Sequence, residues 1–113
     1  MKNIDEQWSE IKRWLAFNRK KFNTTKNAKF DDLGIIDRYG YICVYPKHFR
    51  EMLGRDNFQT MKVLADTQCI FSHMEGETRC FTEMKSVGVG TKARARMICL
   101  NIKEEDVFKD GEK

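Results

Sequence analysis

The chain has no apolar run approaching the length of a membrane span, and no charged-then-apolar start of the kind that marks a signal peptide. The expectation is a cytoplasmic protein with no membrane contact. Its four cysteines, Cys43, Cys69, Cys80 and Cys99, contain no pair at the C-x₂₋₄-C spacing that sets two sulfurs on one metal. Each sits among apolar residues, which predicts reduced, buried thiols with no disulfide and no metal. Cys69, His73 and Cys80 can be imagined as three ligands, but they too lack that spacing. The phosphate-cradling pattern G-x-x-x-x-G-K-[ST] is also missing, so no nucleotide hydrolysis is expected. Nothing in the order of residues sets His48 or His73 beside a thiol, and the acid pairs Asp31/Asp32 and Glu75/Glu77 lie in turn contexts. No catalytic residue, enzyme activity or cofactor is predicted. Without internal repeats or a linker, 113 residues read as one domain, 1–113, with a frayed acidic tail from about 104 to 113.

What is present is ordinary in amount and unusual in placement. A hydrophobic fraction of 41% against 34% charged residues suits a globular core. Net charge is +4 and the isoelectric point about 8.9, just short of a dedicated nucleic-acid module. The acids, however, are segregated. None occurs from Lys12 to Lys29, a stretch holding Arg13, Arg19, Lys20, Lys21 and Lys26, and none from Lys85 to Lys103, which holds Lys92, Arg94 and Arg96. Such clustering predicts a polarised surface.

The periodicities place the elements. Asn3 with Glu6 can cap a helix whose stripe is Ile4, Trp8, Ile11 and Leu15, with Phe22 in phase if the helix runs that far. Trp14 and Phe17 fall off the stripe, leaving aromatic surface to be wrapped by the domain or offered to a partner. Two β-rich runs flank Asp37 to Gly40. Tyr45 to Gln68 then predicts two short helices. Pro46 suits the first helical position, and Phe49, Met52 and Leu53 share a face up to Gly54. Asp56 and Gln59 have capping-box spacing, and Phe58, Met61, Leu64 and Ala65 line one side of the second helix. Runs from Arg79 to Val87 and from Ala93 to Ile102, joined across Gly88-Val89-Gly90, predict a β-hairpin. Two helices across a glycine turn followed by a basic hairpin give an α+β winged helix-turn-helix, with three main helices and a C-terminal hairpin wing.

The order WLAFNRKKF, KFDDLGIIDRYGYICVYPKHFREML and RCFTEMKSVGVGTKARARMICLNI resembles the C-terminal winged-helix module of primase-helicase proteins of phages and integrative elements, whose ATPase core is of superfamily 3 or MCM-like type. The pattern includes Phe30, Arg38, Tyr39 and Gly40, and the Thr82/Lys85 strand before Arg94 and Arg96. The resemblance implies an accessory, DNA-associated domain of a replicative helicase, with a helicase ATPase core as a further partner.

Independently of that resemblance, the second helix of a helix-turn-helix would offer Gln59 and Lys62 to DNA, with Lys62 the one cation there. The wing would offer Lys85, Lys92, Arg94 and Arg96 to phosphates, and Arg19, Lys20 and Lys21 a second basic edge. Expected binding, to single- or double-stranded DNA, is weak, salt-sensitive and nearly blind to sequence. The rival reading is a protein-docking domain that uses Trp14 and Phe17 of the first helix to hold a helicase core or a regulator.

Overall fold

The first helix, α1, spans Ile4–Phe17. It is the opening element of a computed structural model that describes residues 3–27, 29, 31–86 and 94–108. The Asn3 side chain accepts from the Glu6 amide at 2.9 Å and donates to the Glu6 carboxylate at 2.7 Å, so the expected cap forms. Ile11 and Leu15 are fully buried, while Ile4 and Trp8 pack partly against the same core. The helix stops at Phe17, where the Asn18 side chain takes up the Trp14 carbonyl. Phe22 is therefore buried as a strand residue and does not continue the helical stripe.

Three short strands follow: β1 (Phe22–Thr24), β2 (Gly34–Ile36) and β3 (Tyr41–Val44). β1 runs parallel to β2, and β3 runs antiparallel to it. The β1–β2 connection closes around Asp32, a buried carboxylate that accepts from the Asn23 side chain and from the Lys29 amide. Asp37 turns β2 into β3 by accepting the Tyr39 and Tyr41 amides, an Asx turn. The helices α2 (Pro46–Leu53) and α3 (Asn57–Asp66) come next, with Gly54 between them at φ 86°, a conformation that costs other residues strain. Phe49, Met61, Leu64 and Ala65 are buried as expected. Phe58 is not, being 61% exposed, and Asp56 makes no side-chain cap bond, so the capping box does not form.

The segment read as one strand from Arg79 to Val87 is divided. β4 (His73–Glu75) and β5 (Thr78–Cys80) make a separate two-stranded hairpin, and β6 (Glu83–Ser86) pairs with the ten-residue β7 (Arg94–Lys103). Val87, the Gly88-Val89-Gly90 loop and Lys92 lie outside the described residues, as do Phe30 and the tail from 109. Glu104–Phe108, expected to be frayed, forms the short helix α4 and buries Phe108 beside Phe22, ring centroids 6.4 Å apart. No helix of the described residues is long and apolar enough to cross a membrane.

The winged helix is overturned by the sheet. Its order is β1-β2-β3-β7-β6, five strands of mixed direction. A wing is an appended hairpin at the margin, whereas β7 lies between β3 and β6 with Met97, Ile98, Cys99 and Leu100 all buried. Pairing of Cys43 with Cys99 and of Val44 with Ile98 is what draws the supposed wing into the centre. The α2–α3 pair exists, but it packs on a sheet and with α1 instead of completing a three-helix bundle.

Strict alternation sorts the two sheet faces. Ile36, Ile42, Val44, Ile98 and Leu100 face the helices and join the main core, while Ile35, Cys43, Met97 and Cys99 form a second, smaller core on the opposite face. Among the described residues no helix packs against that second cluster. It closes because the sheet curls. Lys85 in β6 reaches Asp37, just past β2, at 3.4 Å. Two strands intervene, and Lys85 pairs with Ala95 near one end of β7 while Asp37 lies beside Tyr41, whose partner Lys103 is at the other end, so a flat sheet would hold the two far apart along the strands.

Candidate nucleic-acid interface

The curl brings the two ends of the sheet to a seam. Beside the Lys85–Asp37 bridge lies an open depression lined by Thr25, Ile35, Arg38, Tyr39, Met84 and Arg94 together with the bridging pair. Its positions follow from local structure. The Asx turn at Asp37 pushes Arg38 and Tyr39 outward. Tyr39 is 62% exposed, with the Arg38 guanidinium 4.8 Å over its ring and donating to its hydroxyl at 2.7 Å. β6 and β7 bring Met84 and Arg94 from the other side. Among charged groups the depression holds three cations and one carboxylate. Arg94 is exposed and makes no ion pair among the described residues.

Lys85 is a different kind of cation. Its side chain is 25% exposed and that of Asp37 10%, so the pair is mostly withdrawn from water. Burial works against the ammonium, but the sulfurs of Cys99 and Cys43 and the Asp37 carboxylate outweigh it and hold the amine above its ordinary value. Beneath it the two sulfurs lie 3.4 Å apart. The Cys99 carbonyl accepts from the Phe71 amide, on the side of β7 away from β3. Cys43 and Cys99 thus face each other where the strands exchange no hydrogen bonds and side chains approach most closely. Donation to Cys99, and then burial, push the Cys43 thiol up. Accepting that bond draws Cys99 down against its own burial, and Lys85 adds to the effect.

The residues expected to touch DNA are scattered. Arg94 lines the seam. Arg96, although exposed and on the same face of β7, lines a different depression with His73, Glu75 and Glu83. Lys92 is outside the described residues. Gln59 and Lys62 are exposed on α3 and line neither depression, with the Lys62 ammonium 5.5 Å over the Phe58 ring. Of the second basic edge, Arg19 stacks 5.9 Å over Phe108, Lys21 is held by Asp31 at 2.6 Å, and Lys20 is exposed. Trp14 packs edge-on against Phe22 at 5.9 Å and belongs to the core, which leaves Phe17, 88% exposed, as the free aromatic of α1. Arg38 and Tyr39 are the functional candidates that charge counting missed. The signal for them was an aromatic beside an arginine in a tight turn.

No family model, curated protein or solved structure matches the chain. The likeness to primase-helicase modules accordingly stands on residue pattern alone, and the sheet departs from the fold which that likeness implied.

Proposed function

We propose that this chain is a non-catalytic DNA-binding module that takes a single strand across the seam. The observation that carries the reading is the meeting of Arg38, an exposed Tyr39 and an exposed Arg94 around one depression. Single-strand binding asks for that combination: cations that follow the phosphates and an aromatic face on which a base stacks without regard to sequence. Duplex reading by α3 has less behind it, since Lys62 is the lone cation on its outer face. Lys85 serves here as a structural cation that sets the seam, and Arg94 and Arg38 are the phosphate contacts.

Affinity is expected in the non-specific range, about 10⁻⁴ to 10⁻⁶ M at physiological salt. Fluorescence anisotropy with a labelled oligothymidylate across a salt series tests the proposal. Tyr39→Ala should weaken binding by about 1–3 kcal/mol, the worth of one stacked base. Arg38→Ala with Arg94→Ala should reduce the log–log salt slope by about 1.4, at about 0.7 per phosphate on a single strand. Preference for duplex, or indifference to all three substitutions, would contradict it. Protein docking through α1 is left with Phe17 to support it.

A further inference from the structure

On the β4–β5 hairpin the register sets His73 directly opposite Cys80, and Glu75 lies two residues along from His73 on the same face. The ligand-capable atoms of these three side chains all lie within 4.8 Å of one another, and His73 Nε2 is 2.8 Å from Glu75 Oε2. We propose that His73, Glu75 and Cys80 form a three-ligand zinc site with a fourth position open to solvent. An imidazole, a carboxylate and a thiolate are all zinc donors, and three protein ligands with one vacant position is the arrangement that keeps water or an incoming group on the metal. Tetrahedral bonds of about 2.0–2.3 Å set donors about 3.3–3.8 Å apart. The three side chains need to move by about an ångström to reach that spacing. They are exposed or half-exposed, while strand pairing holds their backbones.

Without metal the same groups satisfy one another. Hydrogen bonds from His73 and then from Cys80 hold the Glu75 carboxyl below its usual range. Burial, followed by the Glu75 charge, pushes the Cys80 thiol up from its ordinary value. Binding a dication reverses that balance. The sulfur bonds to the metal as its S–H bond breaks, and the proton leaves to solvent. Arg96 and Glu83 line a depression with His73 and Glu75, so a cation and a further carboxylate stand beside these ligands. The spacing rule misses such a site because it looks for two ligands on one short loop. Here one strand contributes H-x-E, and its antiparallel partner supplies the sulfur. The site is separate from the seam, and its test does not depend on DNA binding.

Titration of the whole chain with cobalt(II) alone, followed by displacement with zinc(II), tests it. One cobalt per chain should bind, with a thiolate-to-cobalt charge-transfer band and the strong visible bands of tetrahedral geometry. Cys80→Ser should abolish the charge-transfer band. His73→Ala and Glu75→Gln should each weaken binding by at least about tenfold, since losing a ligand costs more than losing a group that only orients one. Cys69→Ser should leave the spectrum unchanged, and far-UV circular dichroism should be the same for every variant, because His73, Glu75 and Cys80 lie outside the main core and Cys69, half-buried at its edge, changes only from thiol to hydroxyl. Absence of the band in the parent chain, its survival in Cys80→Ser, its loss in Cys69→Ser, or unaltered affinity in His73→Ala or Glu75→Gln would each overturn the proposal.

Discussion

The two faces of the central sheet are closed by different means. On one, α1 to α4 cover strands whose inward residues join a continuous core reaching from Ile11 to Phe108. On the other, four buried residues, Ile35, Cys43, Met97 and Cys99, are shielded by the curl of the sheet and by the half-buried Lys85–Asp37 ion pair. The first face owes its stability to apolar area. The second owes its to geometry, and the same geometry makes the seam where Arg38, Tyr39 and Arg94 meet. The seam that closes the thinly covered face is thus where the candidate interface lies.

Truncation in each core measures the contrast. Phe49 is fully buried under the helices, and Phe49→Ala should cost about 3–5 kcal/mol in chemical denaturation. Met97 is equally inaccessible on the other face but has a smaller cluster around it, so Met97→Ala should cost about 2 kcal/mol, the low end of its class. Equal losses would mean that the second core is as deep as the first.

Gly34 sits where the strands come closest. A Cβ there would meet the Cys43 carbonyl oxygen at 2.0 Å and the Val44 Cα at 2.9 Å, both backbone atoms that cannot swing aside. Gly34→Ala should therefore cost about 3 kcal/mol, at the upper end of overpacking. A near-neutral result would show that β2 and β3 do not pair in this register.

The smallest expected change is at the ion pair. Lys85→Ala removes one partner, but Asp37 keeps its bonds from the Tyr39 and Tyr41 amides. The loss should be about 1–2 kcal/mol, below that of a wholly orphaned buried charge. The sharper readout is thiol chemistry. In the native parent protein Cys69 and Cys80 should react with a maleimide well before Cys43 and Cys99, and Lys85→Ala should speed the slow pair. Unchanged labelling of that pair would show that the lysine does not cover it.

The same division governs what could be read in the sequence. Helical stripes are long and redundant. Ile11 and Leu15 in α1, and Met61 and Leu64 in α3, announced both helices and their buried sides, and Pro46 and Gly54 marked the limits of α2. The strands β1 and β2 have three residues each, too few for an alternation to show, and their parallel pairing joins segments that no local rule connects. β7 was visible as a strand, but its partners were not. Whether a hairpin stands at the margin or in the centre depends on Cys43 and Val44 finding Cys99 and Ile98 across half the chain. The basic runs were legible as charge, and their availability was not. Asp31 and Asp37, distant in sequence from Lys21 and Lys85, neutralise them in space. Tyr39 escaped because stacking surface carries no charge to count.

The most direct measurement is an amide NMR titration of the ¹⁵N-labelled chain with an unlabelled oligothymidylate at low salt. The seam reading predicts that the largest shifts fall on Arg38, Tyr39 and Gly40 in the turn and on Met84, Lys85, Arg94 and Ala95 in the paired strands, and that they fade as salt is raised. Shifts centred on Asn57 to Val63 of α3, or no shifts at the turn, would contradict it.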